Sequence, residues 1–179
     1  MKKLILLTMA AALTFLNFKC DEDGVVIDFN YTYANVEFSI EPVPVTGEQS
    51  FATSEIDLKI DSVFAENDIS KESLKGAKIT SMKFVITAPA NGNFNAIDYL
   101  DVSMSAPSAG LPEVHIAKTP NPMPQDVQSV EVVADGGDLA PYIKAGVIKL
   151  IIKGKNNAPI EEKIDMKGSI SFTISGEVL

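Results

Sequence analysis

The chain has 179 residues, 46% of them apolar, with 15 Lys+Arg against 24 Asp+Glu and a formal net charge of −9. That length suits one domain with a sizeable core, and the composition excludes both a disordered chain and a bundle of membrane spans. An acidic domain repels phosphate backbones, so no nucleic-acid partner is expected.

In chain order, Met1-Lys2-Lys3 comes first, followed by an apolar run from Leu4 to Phe18 broken only by Thr8, Thr14 and Asn17. A positive start before a short apolar core is the layout of a secretory signal peptide. The run falls short of the roughly 20 residues that a bilayer-spanning helix needs. Residues 1–19 are therefore expected to be a signal peptide. Its removal takes Lys2, Lys3 and Lys19 and no acid, leaving a more acidic domain. Cys20, the one cysteine, stands just after the run, and Asp21-Glu22-Asp23-Gly24 follow it. This layout resembles the signal of bacterial lipoproteins, of the Bacteroidota type. The resemblance covers residues 1–24 and implies acylation of Cys20, with Asp21, Glu22 and Asp23 as a surface-export signal. It also implies a membrane partner through the lipid anchor, at the outer membrane and facing the cell surface. Acyl chains contribute roughly 0.8 kcal/mol per buried methylene, so several on one cysteine hold firmly.

Residues 20–32 are expected to be the lipidated cysteine and a tether, and residues 33–179 a single domain. From Ala34, Val36, Phe38 and Ile40 alternate with polar residues until Pro42 and Pro44 stop the strand. Ile56, Leu58 and Ile60 mark a second strand. Ser62 to Leu74 break the period of two and read as a crossover, with Ser70-Lys71-Glu72-Ser73 as a helical turn. Ile79, Met82, Phe84 and Ile86 change parity near Ser81, the sequence mark of a β-bulge. Pro89 to Asn93 make a loop, and Phe94 to Tyr99 a helical turn capped by Asn93. Strands follow at Leu100–Met104, Val114–Ile116 and Val130–Ala134, with Pro120, Pro122 and Pro124 stiffening the loop before the last. Leu139 to Ala145 read as helical turns capped by Asp138. Ile148, Leu150 and Ile152 form a strand, and Gly154 to Pro159 read as a hairpin loop into the final one. That last stretch, Ile164 to Val178, is the most regular. Ile164, Met166, Ile170, Phe172, Ile174 and Val178 share one parity, Gly168 and Gly176 included, and polar residues take the other.

The chemistry that the residue types exclude is as informative. A lone Cys permits neither an internal disulfide nor a Cys-based metal site. All basic residues are lysine and Trp is absent, so there is no guanidinium fork for phosphate and no indole platform for bases. His115 is the single histidine, on a polar parity with Glu113, and is expected to be a solvated surface residue. Hydrolytic motifs and phosphate-binding glycine loops are missing. Asp135 and Asp138, around a Gly-Gly turn, are the calcium candidates. Calcium takes six to eight oxygens, so the competing assignment is a turn with a capping aspartate.

The expected fold is all-β, an antiparallel two-layer β-sandwich of Ig-like or jelly-roll type, with about eight strands and one or two short helical turns. The expected role is a non-enzymatic binding or adhesion module on the envelope, without a cofactor, for a protein or glycan partner. Its long loops at Ala88–Asn93 and Thr119–Asp126 are the candidate contacts. The alternatives are an assembly subunit that uses exposed strand edges, with the final strand as donor or acceptor, and a sandwich-fold hydrolase.

Overall fold

The computed structural model describes residues 19–21 and 24–178, with side chains for 25–178. Residues 1–18 of the expected signal segment lie outside the described residues, as do Glu22 and Asp23. Nine strands form one antiparallel sheet: β1 (Lys19–Asp21), β2 (Gly24–Ile40), β3 (Gly47–Asp57), β4 (Ile69–Ala88), β5 (Ile97–Ala106), β6 (Leu111–Lys118), β7 (Ser129–Ala134), β8 (Val147–Asn156) and β9 (Ile164–Val178). Among the described residues two short α-helices accompany them, α1 (Ile60–Glu66) and α2 (Ala140–Ala145), with a 3-10 turn at Pro107–Ala109. The spatial order is β1-β2-β9-β4-β7-β6-β5-β8-β3. The sheet curls at β7, which pairs with β4 through Ser129–Val132 and with β6 through Val133 and Ala134. The curl lays β2-β9-β4 over β6-β5-β8-β3 around a single core. The expected all-β sandwich is what forms, and the strand beyond the expected eight is the three-residue β1.

β9 lies between β2 and β4 along its length, from Glu177 opposite Val26 to Ile164 opposite Ile40. Its inward residues from Ile164 to Ile174 are buried, because a strand flanked on both sides hides one whole face. Being flanked also leaves it no free edge within the chain's own sheet. Gly168 permits a close approach. A Cβ there would lie 3.0 Å from Phe38 and 3.1 Å from Phe84, whose rings meet edge to face at 5.6 Å.

Several sequence assignments change or sharpen. The stretch 24–32, expected as a tether that joins the first sheet, lies within β2, which is paired to β9 from Val26 onward. Its mixed pattern has a cause: a bulge between Tyr33 and Val36, with Asn35 at φ 61°, shifts the inward parity from odd to even. Ser70–Ser73 is not a helical turn but lies in β4. There Ser70 and Ser73 bond to each other's backbone amides (2.9 and 3.1 Å) and bow the strand into a bulge. Gly154 to Pro159 is not a hairpin. β8 pairs with β3 and β5, so the chain crosses between layers to reach β9. The second strand also ends early: β3 stops at Asp57, and of the buried Leu58 and Ile60 the latter opens α1. The bulge near Ser81 forms where parity changes.

Candidate functional site

Antiparallel strands reverse at every step, and that sorts the connections into two poles. The β2–β3, β4–β5, β6–β7 and β8–β9 connections (41–46, 89–96, 119–128 and 157–163) gather at one end. The start of β2, the end of β9, α1 and α2 gather at the other. The two long loops singled out from the sequence are thus neighbours. Asn95 and Asp126 join them through Asn95 Nδ2 to Asp126 Oδ1 (2.8 Å) and the Asp126 amide to Asn95 Oδ1 (2.7 Å). Gln128 Nε2 donates to the Ala90 carbonyl (2.7 Å), and the Asn157 amide to that of Ala96 (3.0 Å).

The fourth loop is tied in by a bridge between Val43 and Ile160, and by Asn156 Nδ2 donating to the carbonyls of Val45 and Ala158 (2.8 Å each). Every loop is therefore fastened to at least one other, which removes loop entropy before any ligand arrives. Between loops 89–96 and 157–163 lies a depression of about 320 Å³, lined by Pro89, Asn91, Asn93, Ile160, Glu161 and Glu162 among others. Gly92 belongs there because a Cβ would meet Ile86 at 2.9 Å.

A second cluster lies on the outer face of β5, β6 and β8. His115 Nδ1 is 2.8 Å from Asp101 Oδ1, and its Nε2 is 2.8 Å from Asp135 Oδ1. The ring is 38% exposed, the surface position expected from parity, and a carboxylate flanks it on each side. Glu113 does not join it. Lys153 Nζ donates to Glu113 at 2.5 Å and holds that carboxyl below the usual carboxylate range. Nearby, Lys118 Nζ sits 4.3 Å over the Tyr99 ring, whose hydroxyl donates to Glu48 at 2.5 Å and is held above the usual phenol range by that bond.

Asp135 and Asp138 do not converge on a common cation position. Asp135 faces His115, whereas Asp138 Oδ1 accepts from the amides of Ala77 (2.8 Å) and Ala140 (3.1 Å). Asp138 therefore splints α2 to β4 from the residue before the helix cap Leu139. Among the described residues no group of three or more His, Cys, Asp or Glu side chains is arranged to hold a metal ion. Cys20 and Asp21 lie in β1, opposite Val25 and Gly24.

No family model matches the chain, and no curated protein matches it. A solved structure of Desmodium yellow mottle tymovirus is 15% identical, over 100% of this chain and 98% of that one, with a TM-score of 0.31. Likeness at that level carries no argument about function.

Sequence reasoning passed over Asn95 and Asn156, and it gave Asp101 and Asp126 no role in joining elements. The joining contacts are far apart in sequence: 31 positions separate Asn95 from Asp126, 14 separate Asp101 from His115, and 111 separate Asn156 from Val45. The one signal present was composition, since Asn and Asp crowd the loops that they later fasten.

Proposed function

We propose that this chain is an envelope-anchored lipoprotein, acylated at Cys20, that presents a non-enzymatic binding surface to a protein or glycan. The observation that carries the reading is the polarity of the domain. β2 starts at Gly24, four positions after Cys20, and its far end at Ile40 lies opposite Ile164. Fifteen residues of β9 at about 3.3 Å each span about 50 Å between the poles. An anchor at Cys20 holds the near pole to the membrane and carries the four fastened loops to the far side. Asp21, Glu22 and Asp23 then act in export to the surface, where those loops meet partners. Preset loops bind without a large ordering cost, which suits recognition by shape and hydrogen bonding.

Cys20→Ala tests the reading. The variant is expected to leave the membrane fraction and to lose incorporation of a labelled fatty acid. An epitope inserted at Asn91 is expected to be reachable on intact cells in the parent chain. Retention of the Cys20 variant in the membrane, with fatty acid still attached, overturns the anchor. An epitope reachable only after lysis overturns surface display.

A second reading has one specific observation behind it. Among the described residues β3 pairs with β8 alone, so one of its edges carries backbone donors and acceptors without a strand partner there. Assembly through that edge would give a concentration-dependent increase in mass on size exclusion, abolished by a proline at Thr53.

A further inference from the structure

Apart from the short β1, the strands that end the spatial order are β2 and β3, and their composition sets them apart. Together they hold Asp28, Glu37, Glu48, Glu55 and Asp57, and neither contains a lysine or a proline. The chain has 15 basic residues, all lysine, and 10 prolines, so every one of them falls elsewhere. Lysine and proline are the residues with which exposed strand edges are commonly guarded against further pairing. Of the two strands, β2 is covered by β1 over Gly24–Val26 and interrupted by its bulge between Tyr33 and Val36. In β3 a bulge lies between Ser50 and Ala52, and the run from Ala52 to Asp57 is regular.

The side chains of β3 say what kind of strand suits its open edge. Glu48, Ser50, Thr53, Glu55 and Asp57 are exposed, whereas Phe51, Ala52 and Ile56 are buried. Across the occupied edge, β8 sets Lys155 opposite Glu48 and Lys149 opposite Glu55. Lys155 turns away to Asp98 (3.3 Å), and Asp57 pairs with Lys59. Among the described residues the Glu48 carboxylate then accepts only from the Tyr99 hydroxyl, and Glu55 forms no ion pair. A second copy suits this edge poorly. With the bulge counted, the antiparallel register that keeps both solvent faces together sets Glu48 of each copy opposite Glu55 of the other. Like charges directly opposite are destabilising.

We propose that the open edge of β3 takes up an extended, lysine- or arginine-bearing segment of a partner protein as a further strand, its basic side chains beside Glu48 and Glu55 and its alternate, apolar ones turned inward. This rests on the second reading above, that the β3 edge pairs, and assigns the occupant as a foreign basic strand rather than another copy. Main-chain hydrogen bonds along the regular run give affinity, and the two carboxylates give register. A slip of one residue would turn the basic side chains toward the core. Tyr31 Oη donates to the Leu58 carbonyl (2.8 Å) just past the end of β3, so β2 lies across from this edge, and its half-buried Tyr31 gives the inward side chains apolar cover.

Fluorescence anisotropy with the full chain tests this, using a labelled peptide of the length of β3 that alternates lysine and valine. Two control peptides are one of the same composition with the alternation broken and one with glutamate for lysine. The alternating lysine peptide is expected to bind best and to slow amide hydrogen exchange in 47–57. Its affinity is expected to fall about fivefold with Glu48→Gln and Glu55→Gln together, the scale of two cross-strand ion pairs. Glu48→Lys with Glu55→Lys is expected to move the preference to the glutamate peptide. Equal binding of both lysine peptides, with exchange in 47–57 unchanged, is general charge attraction and overturns the proposal. A mass of the chain alone that rises with concentration and is blocked by Thr53→Pro overturns the basic occupant and leaves the edge reading standing. Neither peptide binding nor a rise in mass overturns both.

Discussion

Phe172→Ala probes whether β9 is the strand around which the core is built. Phe172 has no exposed surface and lies in register with Tyr31 on β2 and Ile79 on β4. Removing the ring forfeits its burial and leaves a cavity that flanking strands cannot close, because both are held to β9 by their own ladders. Phe→Ala changes of this kind cost about 3–5 kcal/mol. For a domain of this size, with roughly 3 °C lost per kcal/mol, the melting temperature should drop by about 9–15 °C. Thr173→Ala is the paired control. Its Oγ1 donates to Asn30 Oδ1 at 2.8 Å on the solvent side, a bond that water replaces at a net cost under about 1 kcal/mol. Urea and thermal unfolding of both variants, read by far-ultraviolet circular dichroism, give the comparison. Equal midpoints for the two would refute the reasoning, since they would mean that the inward face of β9 contributes no more than its outward face.

Gly154→Ala should be severe, about 3 kcal/mol or more, because the new Cβ would lie 2.2 Å from the Tyr99 carbonyl oxygen and the β5–β8 pairing must give way. Gly137→Ala, with open space around it, should stay within about 0.5 kcal/mol, and urea midpoints of the two variants check the contrast. The acid side of the stability profile has a definite sign. Asp165 is held below the usual carboxylate range by Ser39 and then Lys163, and Glu113 by Lys153. Lowered folded values add stability above the unfolded range that is lost as pH falls through the folded ones, so melting temperatures should decline below about pH 4. Asp165→Asn should flatten part of that decline, and a melting temperature unchanged from pH 4 to pH 2 would refute the assignment.

The parts of the fold that were legible in the sequence are those where one strand carries its own evidence. β9 announces itself because six large apolar side chains and two glycines share one parity, a pattern that only a half-buried strand needs. The bulge near Ser81 showed itself as a change of parity in the same way. Ser70–Ser73 misled because its composition suits a helical turn, whereas pairing to β9 near Val178, over a hundred positions away, decides the matter. The segment after Gly154 misled for a related reason. Turn residues mark where a chain bends, but the strand that receives it is chosen by pairing with β2 and β4, which leaves no local trace. The loop pole was half legible: proline and asparagine marked its loops as long and stiff, and only the fold shows that they are fastened together. His115 was assigned to the right face but without its partners, since Asp101 and Asp135 reach it from other elements.

The full-length ladder between β2 and β9 has a mechanical consequence for an anchored molecule. Tension between Cys20 and a ligand gripped at the loops would run along β2, and inter-strand hydrogen bonds stand perpendicular to the strands. From Val26 opposite Glu177 to Ile40 opposite Ile164, the pairs would then be loaded together in shear. A pull across the sheet would open them one after another from an end, at far lower force. β9 is braced by β4 on its other side, so the same load spreads into a third strand rather than peeling the first away. With the proposed anchor at Cys20, β2 is thereby the strand that takes the load and is braced against being drawn out of the domain.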